Sequence, residues 1–179
     1  MLYAFGFERI GVAVSDLYFL NPSPDPGQEG PERGVRLELR FFERPSLRGS
    51  IYSARTIIVD RPIWRVDLLE AVTSAPGSLD RAHYHPVFTG WEPSDRCFDD
   101  ELLVNPVGWV ADRLADLEGV LDQAGVSAGE VGDGDAAALR AALPEIIETL
   151  GRLLDGVAAG TLGLPPPGPA GTSVRLGWL

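Results

Sequence analysis

The stretch Val35-Arg36-Leu37-Glu38-Leu39-Arg40-Phe41-Phe42 decides the fold class. Val35, Leu37, Leu39 and Phe41 alternate with Arg36, Glu38, Arg40 and Phe42. Successive strand side chains project to opposite sides, so this alternation spells a strand with one buried face and one charged face. Upstream, Ile10 to Val14 is rich in β-branched residues and reads as a second strand. The two are separated by a loop, Asn21 to Pro31, in which Pro and Gly remove donors and fix turns. Downstream, a turn at Pro45 to Gly49 leads into a strand from Ile51 to Val59. Pro62 marks a bend, after which Trp64, Val66 and Leu68 alternate with Arg65 and Asp67. Pro76-Gly77 turns the chain again, and Arg81 to Phe88 returns as a further strand, placed at a sheet edge by Pro86. Short turns imply antiparallel neighbours.

Past Gly90 the pattern becomes helical. Asn105 can cap exposed donors and Pro106 suits a first helical position; Trp109, Val110, Leu114, Leu117 and Leu121 then recur at helical spacing as far as Gly125. A loop to Asp135 precedes a second helical stretch, Ala136 to Ala159, which Pro144 is expected to kink or divide. Leu164 to Pro169 is a stiff spacer, and Thr172 to Leu179 a final edge strand or loose tail. The expected architecture is α+β: a twisted antiparallel sheet of about five or six strands with two or three C-terminal helices on one face. Residues 1–160 form a single domain (sheet 1–103, helices 104–160), followed by the spacer and tail at 161–179.

The 179 residues suffice to bury a core without disulfides or metal staples. Fifteen basic against 26 acidic residues give a net charge of −11, which repels phosphate backbones, so no nucleic-acid partner is expected. All the basic residues are Arg; without lysine there is no Schiff-base, phosphate-loop or kinase lysine. No apolar run approaches the ~18 residues that cross a bilayer, so no membrane association is expected. The N-terminus lacks a secretory pattern, and a lone Cys97 suits a cytoplasmic location.

The chemistry of the chain centres on Asp80-Arg81-Ala82-His83-Tyr84-His85-Pro86, which holds its only two histidines. On a strand, His83 and His85 look to the same side. With Asp80, Glu92 and Asp99 as candidate carboxylates, they offer the ligand types of a divalent zinc, iron or manganese site. The string from His83 to Glu92 resembles the cupin His-x-His motif. It departs in the longer interval to Glu92 and in lacking a third histidine, so a carboxylate would have to substitute. A plainer reading has one histidine packed in the sheet and the other solvated. A third has either ring moving protons without metal, oriented by Asp80 or Asp99, with Arg81 and Arg96 holding a phosphate. Cys97 reads as a buried inert thiol, although a Cys-His pair is conceivable. Asp99-Asp100-Glu101 reads as solvated surface or a first helical turn. Arg36, Arg40, Arg55, Arg61 and Arg65 form either an anion site or cross-strand ion pairs. Asp133 does not begin an EF-hand, since Pro144 stands where the terminal Glu belongs.

Ile63-Trp64-Arg65-Val66-Asp67-Leu68, the histidine segment and Gly90-Trp91-Glu92-Pro93 resemble an uncharacterised family of actinobacterial proteins over about residues 34–117. That resemblance implies no activity. The expectation is therefore a soluble cytoplasmic domain that binds a ligand or a protein, a second copy included. The alternative is a metal-dependent or histidine-based hydrolase centred on His83 and His85.

Overall fold

The alternating stretch forms the middle of a long strand, β3 (Pro31–Glu43), at the centre of an antiparallel sheet. This computed structural model describes residues 1–24, 26–43 and 58–167. The apolar N-terminal region gives two strands, β1 (Leu2–Gly6) and β2 (Ile10–Leu20), where the sequence pointed to one around Ile10 to Val14. Beyond β3 come β4 (Ile58–Ala71) and the short β5 (His83–His85), and the sheet order is β1-β2-β3-β4-β5. A two-stranded ribbon follows, β6 (Phe88–Thr89) with β7 (Glu92–Pro93). The expected turn at Pro45 to Gly49, most of the strand expected from Ile51 to Val59, and the tail from Thr172 lie outside the described residues.

Pro62 does not end its strand. It is absorbed in a register shift between β3 and β4, where Arg40 pairs with Pro62 and the ladder resumes at Phe42 and Val59. Such irregularities accommodate a residue with no N–H to donate. β5 is shorter than the Arg81 to Phe88 strand expected, and it does occupy the sheet edge. Its outer side is partly paired by a bridge from Tyr84 to Cys97.

Among the described residues four α-helices follow: α1 (Asp100–Val104), α2 (Pro106–Ala115), α3 (Leu117–Ala124) and α4 (Asp135–Ala158). The single helix expected up to Gly125 is broken at Asp116. The Asp116 carboxylate accepts a hydrogen bond from Gly119 N and so starts a new helix, while its own N–H still closes α2 on Asp112 O. Gly125 ends α3 at φ 70°, a left-handed conformation that glycine adopts without a Cβ clash. Pro144 lies inside α4 without dividing it. Proline costs about 3 kcal/mol in an isolated helix interior. Here Leu139 on one side of it and Ile146, Leu150, Leu153 and Val157 on the other are all buried in one core. Each fully buried side chain of this kind returns roughly 2 kcal/mol.

That core lies between the helices and one face of the sheet: Val12 and Val14 of β2, Val35, Leu37 and Leu39 of β3, and Trp64, Val66 and Leu68 of β4. Trp64 and Trp109 stack at 6.0 Å between the two layers. Among the described residues no helix is long and apolar enough to cross a membrane.

Candidate metal centre

The other sheet face carries the charges. On β3 and β4, Arg36 stands opposite Asp67 and Glu38 opposite Arg65; on β5, His83 stands opposite Asp67 and His85 opposite Arg65. Directly paired residues share a sheet face, so these six side chains form one polar field. On β2 the residues opposite Arg36 and Glu38 are only Ser15 and Ala13, which leaves room for long side chains. Chain from β6 onward then folds over the field. Phe88 covers the Arg65 guanidinium at 5.1 Å, Trp91 covers that of Arg40 at 5.2 Å, and Phe98 lies 6.0 Å from the His83 ring. Polar side chains are thereby taken out of water: Asp67 and His83 are each 1% exposed and His85 is 7% exposed.

Both imidazoles are held through Nδ1, His83 against the Arg81 carbonyl at 2.8 Å and His85 against the Ser94 carbonyl at 2.6 Å. A carbonyl can only accept, so Nδ1 donates and carries the proton in each ring. The Nε2 atom of a neutral ring then presents a bare lone pair. Both Nε2 atoms face the same carboxylate oxygen, Asp67 Oδ2, at 3.5 and 3.6 Å, which is too far for hydrogen bonds. Burial pushes the His83 pKa down to about 4 despite the opposing pull of Asp67, so that ring is neutral at pH 7. Burial would raise the Asp67 carboxyl, but the Arg36 guanidinium, with Arg65 beside it, holds it well below the usual carboxylate range. Arg36 donates to both oxygens of Asp67, at 2.6 and 3.2 Å. At neutral pH, then, the Asp67 carboxylate and the neutral His83 ring point acceptor atoms at one space, and His85 Nε2 faces the same oxygen.

That space suits a cation. One ligand atom from each of Asp67, His83 and His85 lies within 4.8 Å of the others. Bonds of ~2.05 Å at tetrahedral angles separate neighbouring ligand atoms by about 3.3 Å, near the two distances found. Hydrogen bonds from the far ring nitrogen to a carbonyl are the usual means of fixing a ligating histidine's tautomer and orientation. No family model, curated protein or solved structure matches this chain.

The carboxylates named from sequence are placed elsewhere. Asp80 fastens the loop after β4, accepting from Ala71 N at 3.1 Å and from the hydroxyls of Ser74 and Ser78. Glu92 is exposed on the β6–β7 ribbon, opposite Thr89. Asp99 caps α1 through Glu101 N and also accepts from Trp109 Nε1 at 3.1 Å, leaving Asp100 and Glu101 in the exposed first turn. Nor is either histidine solvated, since both sit under the covering chain. Cys97 is half-buried and pairs with Tyr84, whose side chain lies on the opposite side of β5 from the imidazoles, so no Cys-His pair forms. Arg96 is committed to both oxygens of Glu32 and Arg81 to the Gly27 carbonyl, which spends the proposed phosphate holders. Of the arginine cluster, Arg61 lies over the Phe41 ring and pairs with Glu130, while Arg55 is outside the described residues.

Asp67 was visible in the sequence only as one outward-facing residue of an alternating strand. Its signal was parity with Arg65, two residues before it.

Proposed function

We propose that the chain binds one divalent transition-metal ion through Asp67, His83 and His85, and that it is a metal-dependent hydrolase. The observation that carries this reading is the pair of Nδ1–H donations to backbone carbonyls, which turns both Nε2 atoms toward one carboxylate oxygen. Two nitrogens and one oxygen suit zinc, and three protein ligands leave a fourth position open, as in catalytic rather than structural zinc sites. Such an ion supplies Lewis acidity and a water acidified to a pKa of about 7, which is the nucleophile a hydrolase needs. The chain's own contribution is to hold the ligands in register across β4 and β5, to fix both tautomers, and to exclude bulk water with Phe88 and Phe98. A cytoplasmic setting, which keeps Cys97 reduced, belongs to the same proposal.

The test is calorimetric titration of untagged, chelator-treated full-length protein with zinc. One ion per chain is expected, with His85→Ala and His85→Asn weakening binding by on the order of a hundredfold or more. Folded protein that takes up no stoichiometric zinc, or a His85→Ala protein that binds as well as the parent, would overturn the reading.

A second reading, a domain that binds a ligand or a protein partner, is favoured by Trp91, Phe98, Leu103 and Val104, all exposed between β6 and α2. A dimer in light scattering would support the homotypic form; a monomer at high concentration would count against it.

A further inference from the structure

We propose that Arg65 is the docking group for a carboxylate-bearing ligand that binds beside the metal position. This deepens the metal-site reading and rests on it.

Among the described residues, with Glu32 already taken by Arg96, the polar field sets three guanidinium groups, Arg36, Arg40 and Arg65, against two carboxylates, Glu38 and Asp67. Arg36 takes both oxygens of Asp67. Arg40 pairs with Glu38, donates to the Asp60 carbonyl at 2.9 Å and lies against Trp91. Arg65 is left over. Its nearest carboxylate oxygens are 3.6 Å away on Asp67 and 3.8 Å away on Glu38, beyond hydrogen bonding. Its Nε is buried with no hydrogen-bond partner among the described residues, and only 11% of the side chain is exposed.

A guanidinium stays protonated in any ordinary environment, so it cannot relieve burial by discharging. Buried donors are almost always paired in folded proteins, and an orphan demands an explanation. An anion supplied from solution provides one. It would neutralise the surplus charge and accept from the unused donors.

The position of Arg65 makes this more than a charge count. It stands opposite His85 in the β4–β5 ladder, and its Nε and His85 Nε2 are each 3.6 Å from the same oxygen, Asp67 Oδ2. An anion on Arg65 therefore lies next to the proposed ion, with one oxygen toward the guanidinium and one toward the open coordination position. Phe88 covers one face of the guanidinium, which restricts approach to its donor edge. A planar group with two oxygens matches that edge bidentately. Phosphate ordinarily needs more donors than one fork supplies, and Arg36 and Arg40 are already engaged. The ligand class is thus a small carboxylate with an apolar or aromatic body against Phe88.

The experiment uses the full chain loaded with cobalt(II), whose visible spectrum reports ligands entering the coordination sphere, titrated with acetate and separately with inorganic phosphate. Saturable perturbation by acetate is expected, weakened by on the order of 10- to 100-fold in Arg65→Gln, since charge-assisted hydrogen bonds are lost. Arg65→Lys keeps the charge without the fork and should fall between. Cobalt affinity should be no weaker in either variant, because a nearby positive charge has been removed or kept, never added. Equal acetate binding by Arg65→Gln overturns the proposal, and preference for phosphate over acetate overturns the carboxylate class. If cobalt does not bind at all, the metal reading fails separately. In that event thermal stabilisation of the metal-free protein by acetate, present in the parent and lost in Arg65→Gln, still supports the arginine site, and its absence in the parent overturns it.

Discussion

On the helix side of the sheet, Val35, Leu37 and Leu39 meet Leu68, Val66 and Trp64 under α4; on the other side, Arg36 and Glu38 meet Asp67 and Arg65 beneath Phe88 and Trp91. The same two strands build both faces, residue by residue in alternation. Apolar contact is non-directional and spread over many atoms, so the helix side tolerates small errors of register and rotamer. The polar side depends on direction: a carboxylate must meet a guanidinium edge, and a ring nitrogen must meet an acceptor. One missing partner there leaves a buried charge with nothing to replace it.

The largest expected difference between the faces lies in removing Asp67. Asp67→Ala strands the Arg36 guanidinium and should cost about 3–5 kcal/mol in urea unfolding. Leu37→Ala on the helix side should cost about 3 kcal/mol, from lost transfer free energy and the cavity left behind. A smaller loss for Asp67→Ala than for Leu37→Ala would show that the polar face is not held by its ion pairs.

Acid should separate the faces next. In the unfolded chain His83 takes up a proton near pH 6.5, whereas in the folded metal-free protein it does so only near pH 4. Between those values the unfolded state binds more protons, so stability is complete above pH 6.5 and falls as the pH drops toward 4. At about 1.4 kcal/mol per pH unit, the loss is about 3 kcal/mol. Asp67, whose pKa is depressed, extends the loss to still lower pH, where its carboxylate finally protonates. Chelator-treated protein unfolded across this range should show the slope, and His83→Gln should flatten it between pH 6.5 and 4. An unchanged slope in that variant would assign the acid sensitivity to another group.

The smallest effect concerns the loop between β4 and β5. Asp80→Ala removes acceptors for Ala71 N and two serine hydroxyls at a partly exposed position, and should cost about 1 kcal/mol. It should also weaken zinc binding several-fold, because this loop sets the β4–β5 register. Unaltered zinc affinity would show that the short ladder holds its register without the loop.

Much of the helix-side architecture was legible in the chain. The alternation from Val35 to Phe41, the β-branched run from Ile10 and the Asn105-Pro106 start each rest on a local rule, and each marks a real element. Where local reading missed, a second local force intervened. Asp116 turned from helix surface into a cap. The histidine pair was legible as well, and so was its edge position through Pro86. Its carboxylate partner was not. A hairpin closed symmetrically on Pro76-Gly77 would set Asp67 opposite Pro86, and with that parity Tyr84 would share the Asp67 face in place of the histidines. The observed register sets Asp67 opposite His83.

The order of residues alone determined that a sheet exists with one apolar and one charged face, that helices cover the former, and that two imidazoles leave one strand on the same side. Periodicity and capping are properties of a few neighbouring residues and need no knowledge of distant chain. Only the tertiary structure decided which carboxylate those imidazoles meet. In the observed register Glu70 accepts from Gly77 N and Ser78 N and Asp80 from Ala71 N across the loop, and a slip of one residue would turn every side chain of β5 to the other face.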